Sequence, residues 1–411
     1  MTNKICFAHL ADLHLGGWRE KNLTQLNFKA FQIAIEKIIE SKLEFVLFSG
    51  DIFNNAIPPI ELVEKVAKEL MKLKKNNIPL FVIGGSHDYS NSGKSFIKLL
   101  ETVGVFKDVA KWKYINKNEV ELIFTKNKDL KINLAGILGK KNGLDKNIYK
   151  NLNNNTLDKN QLNIFLFHTT LNDFKPDFMN NVKTEIKSNF LPKGFDYYAG
   201  GHIHTHMEGK YDSGIISYPG PLFPNNFSEL KREKPIFNIC EFNFETREIK
   251  IKKEYIKLYE KETIQIEINN LNSIEAKEKI EEKISKYNIE NKIILLEIFG
   301  IINGKISDIN LNKIIAKLYE KGAFHILKNT YKLTTTQTTK IEIKDTENIV
   351  DIEEEIIEKT INETNQDYNN EEKKSKKIII KNLLKLELNK QEDEKNIQYE
   401  ERVSKAIEKS L

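Results

Sequence analysis

Residues 4–16 read KICFAHLADLHLG. The run KICFAHL has the length of a strand and is apolar almost throughout, which is the pattern of a strand buried on both faces. It breaks directly into Asp12-Leu13-His14. The same arrangement recurs. EFVLFSG (44–50) runs into Asp51, PLFVIGG (79–85) into Ser86-His87-Asp88, and DYYAGG (196–201) into His202-Ile203-His204, while NIFLFH (163–168) ends on His168. KINLAG (131–136) is a further run of this kind. Segments near 24–40, 59–75 and 93–103 carry helical spacing of apolar residues, and Pro58-Pro59 suits a helix start. Alternation of strand and helix predicts an α/β fold with largely parallel or mixed sheets and helices on their faces.

Composition sets the outer bounds. A chain of 411 residues is expected to hold two or three domains. With 40% hydrophobic and 30% charged residues it reads as a soluble globular protein, which excludes collagen-like, mucin-like and wholly disordered classes. Cys6 and Cys240 are the only cysteines, so no disulfide framework is expected and a reducing, cytoplasmic setting fits. No apolar run of about 18 residues and no signal-type leader is seen, so no membrane partner is expected. A net charge of +5 neither requires nor opposes a nucleic-acid partner.

Turn residues and histidines are unevenly distributed. All nine prolines lie at or before Pro235, and seven of the eight histidines at or before His206. The first expected domain is therefore 1–235, carrying the chemistry. Alternating strands such as FNICEFNF and ETIQIEI, with helices such as SIEAKEKIEEKISKY, predict a smaller α+β domain over 236–346. Residues 347–411 contain 12 basic and 17 acidic residues and neither Gly nor Pro. They are expected to form a polar linker (362–374) and two helices, 375–389 and 397–410. The apolar residues there, including Leu383, Leu384, Leu386, Leu388, Val403 and Ile407, suit a partner groove.

The Asp and His groups follow the carboxyl ends of strands, where loops of open α/β sheets converge. Asp and His together suit Mn, Fe or Zn better than Ca or Mg. Their number exceeds what one tetrahedral ion needs, so two ions bridged by a carboxylate is the economical reading, and such a pair can clamp a phosphoryl oxygen. A single histidine at a strand end is ordinarily a packed or surface residue, and a single Asp there a helix cap. The joint order D-x-H, G-D, H-D, H, G-H-x-H is far more specific.

That order resembles the calcineurin-like metallophosphoesterases. HLADLHLGG, GDIFNNAIPP and YPGPLFPNNF narrow the resemblance to SbcD-type DNA double-strand-break repair nucleases of archaeal type, the meiotic-recombination-eleven family. The resemblance implies a four-layer domain of two mixed sheets flanked by helices, a small α+β capping domain on the DNA side, and a helical tail docking an SbcC-type coiled-coil ATPase. It implies a Mn-dependent enzyme with two Mn²⁺ per subunit, 3′-to-5′ exonuclease activity on duplex ends and endonuclease activity on single strands. By the family pattern, Asp12, His14 and His204 hold one ion, His168 and His202 the other, and Asp51 bridges. His87 contacts the scissile phosphate, and Asp88 orients its ring. Ser86 stands where the family has a metal-binding Asn, and Asn54 where many relatives have a histidine that handles DNA ends. His206 is expected to be structural or to contact phosphate, His9 to be packed, and Trp18 and Arg19 to pack or touch substrate. The family's dimer maps onto Val63, Leu99 and Val103. Two other readings stay open: a small-molecule phosphodiesterase with the same site, or a weakly active DNA-end scaffold for the ATPase.

Overall fold

The computed structural model describes residues 3–90, 95–140, 145–153, 157–181, 184, 186–336, 357, 361, 370–384, 386 and 396–408. The chain divides into two compact units, 1–334 and 335–411.

Two six-stranded sheets form the centre of the first unit. One runs in the order 249–255, 236–243, 4–10, 45–49, 80–83, 107–108, and the other 207–211, 214–218, 197–201, 162–168, 132–137, 125–127. Within each, the four strands from 4–10 to 107–108, and from 214–218 to 132–137, are parallel. Antiparallel strands close the edges at 236–255, 207–211 and 125–127. Parallel strands need cover on both faces, and the sequence obeys: every residue of 45–49, 132–137 and 162–168 is buried.

The sheets pack face to face through Phe7, Phe45, Leu47 and Phe81 on one side and Leu134, Ile164, Leu166 and Tyr197 on the other. The Phe7 and Phe45 rings stack at 4.7 Å, and Phe7 meets Tyr197 edge-on at 5.4 Å. Alternate residues of the first sheet, such as Leu10, Val46 and Val82, face helices Lys21–Glu40 and Ile60–Lys75. The second sheet is covered on its outer face by Tyr149, Ile186, Leu191 and Phe195. This is the α/β class that the strand–helix alternation predicts, in the four layers that the family resemblance implies.

A second lobe follows within the same unit. Strands Glu260–Asn272, Lys292–Asn303 and His325–Asn329 are parallel, linked by helices Ser273–Ser285 and Leu311–Glu320. Asn272 and Glu275 form a reciprocal capping box that starts the first helix. The apolar faces of both helices close a separate core around Ile264, Ile280, Ile298 and Ile314.

The expected domain break at 235/236 is corrected here. Strand Ile236–Asn243 pairs with Lys4–Leu10 over the full register Lys4↔Asn243 to His9↔Asn238, so 236–255 completes the first sheet and the second lobe begins near 260. Alternating sequence cannot tell which sheet a strand joins, because pairing is non-local. The second unit begins at Thr335, earlier than the expected 347.

In that second unit, helices span Asn370–Leu384 and Asn396–Glu408. The first ends five residues before the expected 389, so Leu386 lies past it, and Leu388 lies outside the described residues. Leu383 and Val403 are half-buried, whereas Ile378 and Ile407 are exposed. Among the described residues, no helix is long and apolar enough to cross a membrane.

If the aromatic contact between the sheets holds the layers together, Phe7→Ala, which removes the edge-on contact to Tyr197, should cost about 3–5 kcal/mol of unfolding free energy. Urea unfolding should then show a lower midpoint with an unchanged slope. A cost below about 1 kcal/mol would mean the sheets pack independently of this contact.

Candidate metal centre

Each group identified from the sequence sits at a carboxyl end of a parallel strand, and the two sheets present those ends to one crevice. Asp12, His14 and His204 form one cluster and Asp51, His168 and His202 a second, with ligand-type atoms of each within 4.8 Å of one another. Asp51 connects them, since its Oδ2 lies 3.6 Å from His14 Nε2 and 3.2 Å from His168 Nε2. His87 joins His14 and Asp51 in a third grouping.

The backbone is bent to achieve this. Asp12, His14, Asp51 and His202 have φ of 51°, 41°, 53° and 90°. Left-handed conformations are uncommon for residues with a side chain and persist where surrounding structure imposes them, often at functional sites. Here the crossing hydrogen bonds Asp12 N to Gly50 O (3.1 Å) and His14 N to Asp51 O (2.9 Å) tie the first two loops together.

Imidazole tautomers are set from outside the clusters. His168 Nδ1 donates to Ser49 O at 2.8 Å, which turns Nε2 toward Asp51. His204 Nδ1 lies 2.9 Å from Glu229 Oε1, and its Nε2 faces His14 Nε2 at 3.0 Å. Carboxylates and carbonyls behind metal-binding histidines act in this way. His9 lies below, bonded to Tyr197 Oη and Ser49 Oγ at 2.9 Å each, and takes no part in the clusters.

The electrostatics describe a site built for cations. Burial pushes Asp12 up to about 6 and His14 down to about 3. Burial also opposes ionisation of Asp51, but the His168 and His14 charges and the hydrogen bond from the His87 amide outweigh it and hold the carboxylate well below its usual range. Against the cost of burial, the Asp51 charge draws His168 up to about 10, and the Glu229 and Asp12 carboxylates draw His204 up to about 9. Protons on these rings thus compensate buried carboxylates, and a bound metal would have to displace them. His14 Nδ1 and His168 Nε2 are buried without a hydrogen-bond partner. Buried polar atoms are ordinarily satisfied, so oxygen and nitrogen donors left open in one crevice fit divalent ions.

Several assignments need correction. Asp88 does not orient His87: its buried carboxylate accepts from the amides of Ile52 (3.2 Å), Phe53 (3.0 Å) and Gly85 (2.9 Å) and braces the loops. The ring of His87 is held instead by Asn54, whose backbone oxygen accepts from Nδ1 at 2.8 Å. Asn54 Oδ1 accepts from Asn225 Nδ2 at 3.4 Å. Ser86 sits half-buried between Gly85 and His87. His206 lies outside the ligand clusters, with Nε2 3.9 Å from Glu208. Trp18 donates to Pro224 O at 2.9 Å and packs against the core. Val63 is a core residue, whereas Leu99 and Val103 are 51% and 60% exposed.

Glu229 is the site residue that sequence reasoning missed. The spacing Asn226-x-x-Glu229 has the look of a helix cap, and Asn226 does accept from the Glu229 amide at 2.9 Å. The Glu229 carboxylate, however, reaches His204.

Gly85 shows how tight the centre is. A Cβ there would lie 2.2 Å from Asp51 Oδ1 and 2.4 Å from the Asp51 nitrogen. Gly85→Ala should therefore displace Asp51 and weaken metal binding on the order of 10–100-fold, as when ligand supports are disturbed. Titration calorimetry checks this, with circular dichroism as the folding control. Unchanged affinity would remove Asp51 from the ligand set.

The comparisons with known proteins agree with this geometry. The calcineurin-like phosphoesterase family matches residues 6–206. The DNA double-strand break repair protein Mre11 of Methanococcus maripaludis is 33% identical over 56% of this chain and 60% of its own length. That of Methanocaldococcus jannaschii is 29% identical over 58% of this chain and 63% of its own. The matches thus span about three-fifths of these curated relatives. The protein of the same name from Sulfurisphaera tokodaii aligns over 83% of this chain and 84% of its own length at 26% identity. Residues 6–206, which contain every histidine of the clusters, are a calcineurin-like metallophosphoesterase domain, in a chain similar to archaeal proteins named Mre11.

Proposed function

We propose that the protein is a Mn²⁺-dependent DNA nuclease acting on duplex ends, 3′ to 5′, and on single strands. The observation that carries this is the pair of ligand clusters with Asp51 between them, 3.6 Å from His14 and 3.2 Å from His168, and His87 beside them but held by Asn54. Asp12, His14 and His204 would hold one ion, and Asp51, His168 and His202 the other, with Ser86 or a water completing it. Two such ions neutralise phosphate charge and make a hydroxide available at neutral pH.

The chain's own groups do the rest. The Asn54 carbonyl takes the Nδ1 proton of His87, so Nε2 is the nitrogen left to the crevice, and a proton carried there would contact the scissile phosphate and pass to the leaving oxygen. The His87 amide donates to Asp51 Oδ1 at 2.8 Å, which fixes the spacing between catalyst and bridge. Contacts to DNA would be mostly to phosphates, hence independent of sequence and weakened by salt.

Similarity to proteins named for DNA double-strand break repair supports that process; the cytoplasm as its setting and an SbcC-type ATPase as its partner belong to the same proposal. Helices Asn370–Leu384 and Asn396–Glu408 would dock the ATPase, through Leu383 on the first and Val403 and Ile407 on the second. Exposed Leu99 and Val103, four residues apart at the end of helix Phe96–Thr102, would serve a homodimer; Val63 would not, being core.

Two measurements test the catalytic reading. His87→Gln should lower cleavage of end-labelled DNA by about 10²–10⁴-fold while Mn²⁺ titrations stay unchanged. Loss of both ions in that variant would make His87 a ligand instead. Ser86→Asn should lower the Mn²⁺ concentration needed for half-maximal cutting, and coincident titrations would show that Ser86 costs nothing. Bis(p-nitrophenyl) phosphate or cyclic-nucleotide hydrolysis without DNA cleavage would favour the small-molecule phosphodiesterase.

A further inference from the structure

The short helix Phe227–Arg232 stands between the metal centre and the second lobe, and it grips two successive residues of one loop. Glu229 Oε1 lies 2.9 Å from His204 Nδ1, and Glu233, one turn on, accepts from Thr205 Oγ1 at 2.8 Å. The N-terminal end of the grip is fixed locally, where Glu229 Oε2 accepts from the Asn225 amide at 2.7 Å.

The other end is fixed by the second lobe. Lys261, on strand Glu260–Asn272, donates from Nζ to three carbonyl oxygens at the helix end: Leu230, Lys231 (3.2 Å) and Glu233 (3.0 Å). An ammonium has three donors, and all three are used on carbonyls that the helix leaves unsatisfied. Lys231 adds a pair with Glu297 at 2.5 Å, on strand Lys292–Asn303, and Leu230 is buried with Ile293 and Leu295 of that strand. A helix of six residues does not hold itself together in water, so its position follows these contacts.

Taking the two-ion reading above as its basis, we infer that Lys261 is a positioning residue through which the second lobe sets the grip of Glu229 and Glu233 on His204 and its loop. Lys261 touches no reacting group. It holds the helix end, the helix holds both glutamates, and these fix the ring and the loop of one metal position. The other position, built on Asp51, His168 and His202, has its own support from Ser49 at His168 and meets this chain of contacts only at Asp51 and at the His202 amide, which donates to Asp12 at 2.9 Å. The consequence is selective. A displacement of the second lobe, such as a ligand seated on it would cause, alters the affinity of the His204 position and spares its neighbour.

The test is Mn²⁺ titration calorimetry on the full chain, with Lys261→Met, the milder Lys261→Gln, and Thr205→Val, which releases Glu233 without touching the lobe contact. The expected result is two binding events in the wild type, one of them weakened about 10–100-fold in each variant and the other within about twofold. A structural cap alone would lower the melting temperature and leave both events in place. Isotherms that coincide with the wild type, or equal weakening of both events, overturn the inference. Should Lys261→Met fail to fold, Lys261→Gln and Thr205→Val decide the question by the same two outcomes. Fewer than two Mn²⁺ in the wild type would overturn the two-ion reading itself, and this inference with it.

Discussion

Everything in this molecule is arranged around the burial of two carboxylates, Asp12 and Asp51, in one crevice with four histidines. Buried carboxylates are costly unless paired with positive charge. The protein supplies protonated His168 and His204 as one solution, and the open donors at His14 and His168 describe another, in which metal ions replace those protons. The left-handed backbone at four ligand positions is stored strain that only a rigid surround can maintain. Two sheets packed face to face over a shared apolar core give that surround.

The fold explains why ligands spaced over almost 200 residues can meet. Parallel strands in both sheets direct their carboxyl ends the same way, and each strand delivers one loop. Below the ligands, Ser49 links the layers: its hydroxyl bonds Ala199 O of the opposite sheet at 3.0 Å and contacts His9, while its carbonyl fixes His168. The catalytic geometry is thus continuous with the core, and not an addition at its surface.

Much of this was legible in the residues. Apolar runs ending in Asp, His or Gly-Asp located the strands and the ligands together, because a strand buried on both faces is mostly apolar until it leaves the sheet. Three things were not legible. The membership of strands 236–255 in the first sheet depends on pairing with residues more than 200 positions away. The bond from His87 to Asn54 uses a backbone oxygen, which no side-chain pattern reveals, and the adjacent Asp88 was a natural but mistaken substitute. Glu229 was hidden by its place three residues after a capping Asn, where a carboxylate has an ordinary local role.

In the proposed site Asp51 would lie between two ions, with His87 bound to neither. Anomalous diffraction from crystals soaked in Mn²⁺ tests it most directly. The account predicts two peaks on either side of Asp51, about 3.5–4 Å apart as in two-metal hydrolases. One should be bound by Asp12, His14 and His204 and the other by His168 and His202, with His87 Nε2 outside both coordination spheres. A single peak, or a peak coordinated by His87, would contradict it.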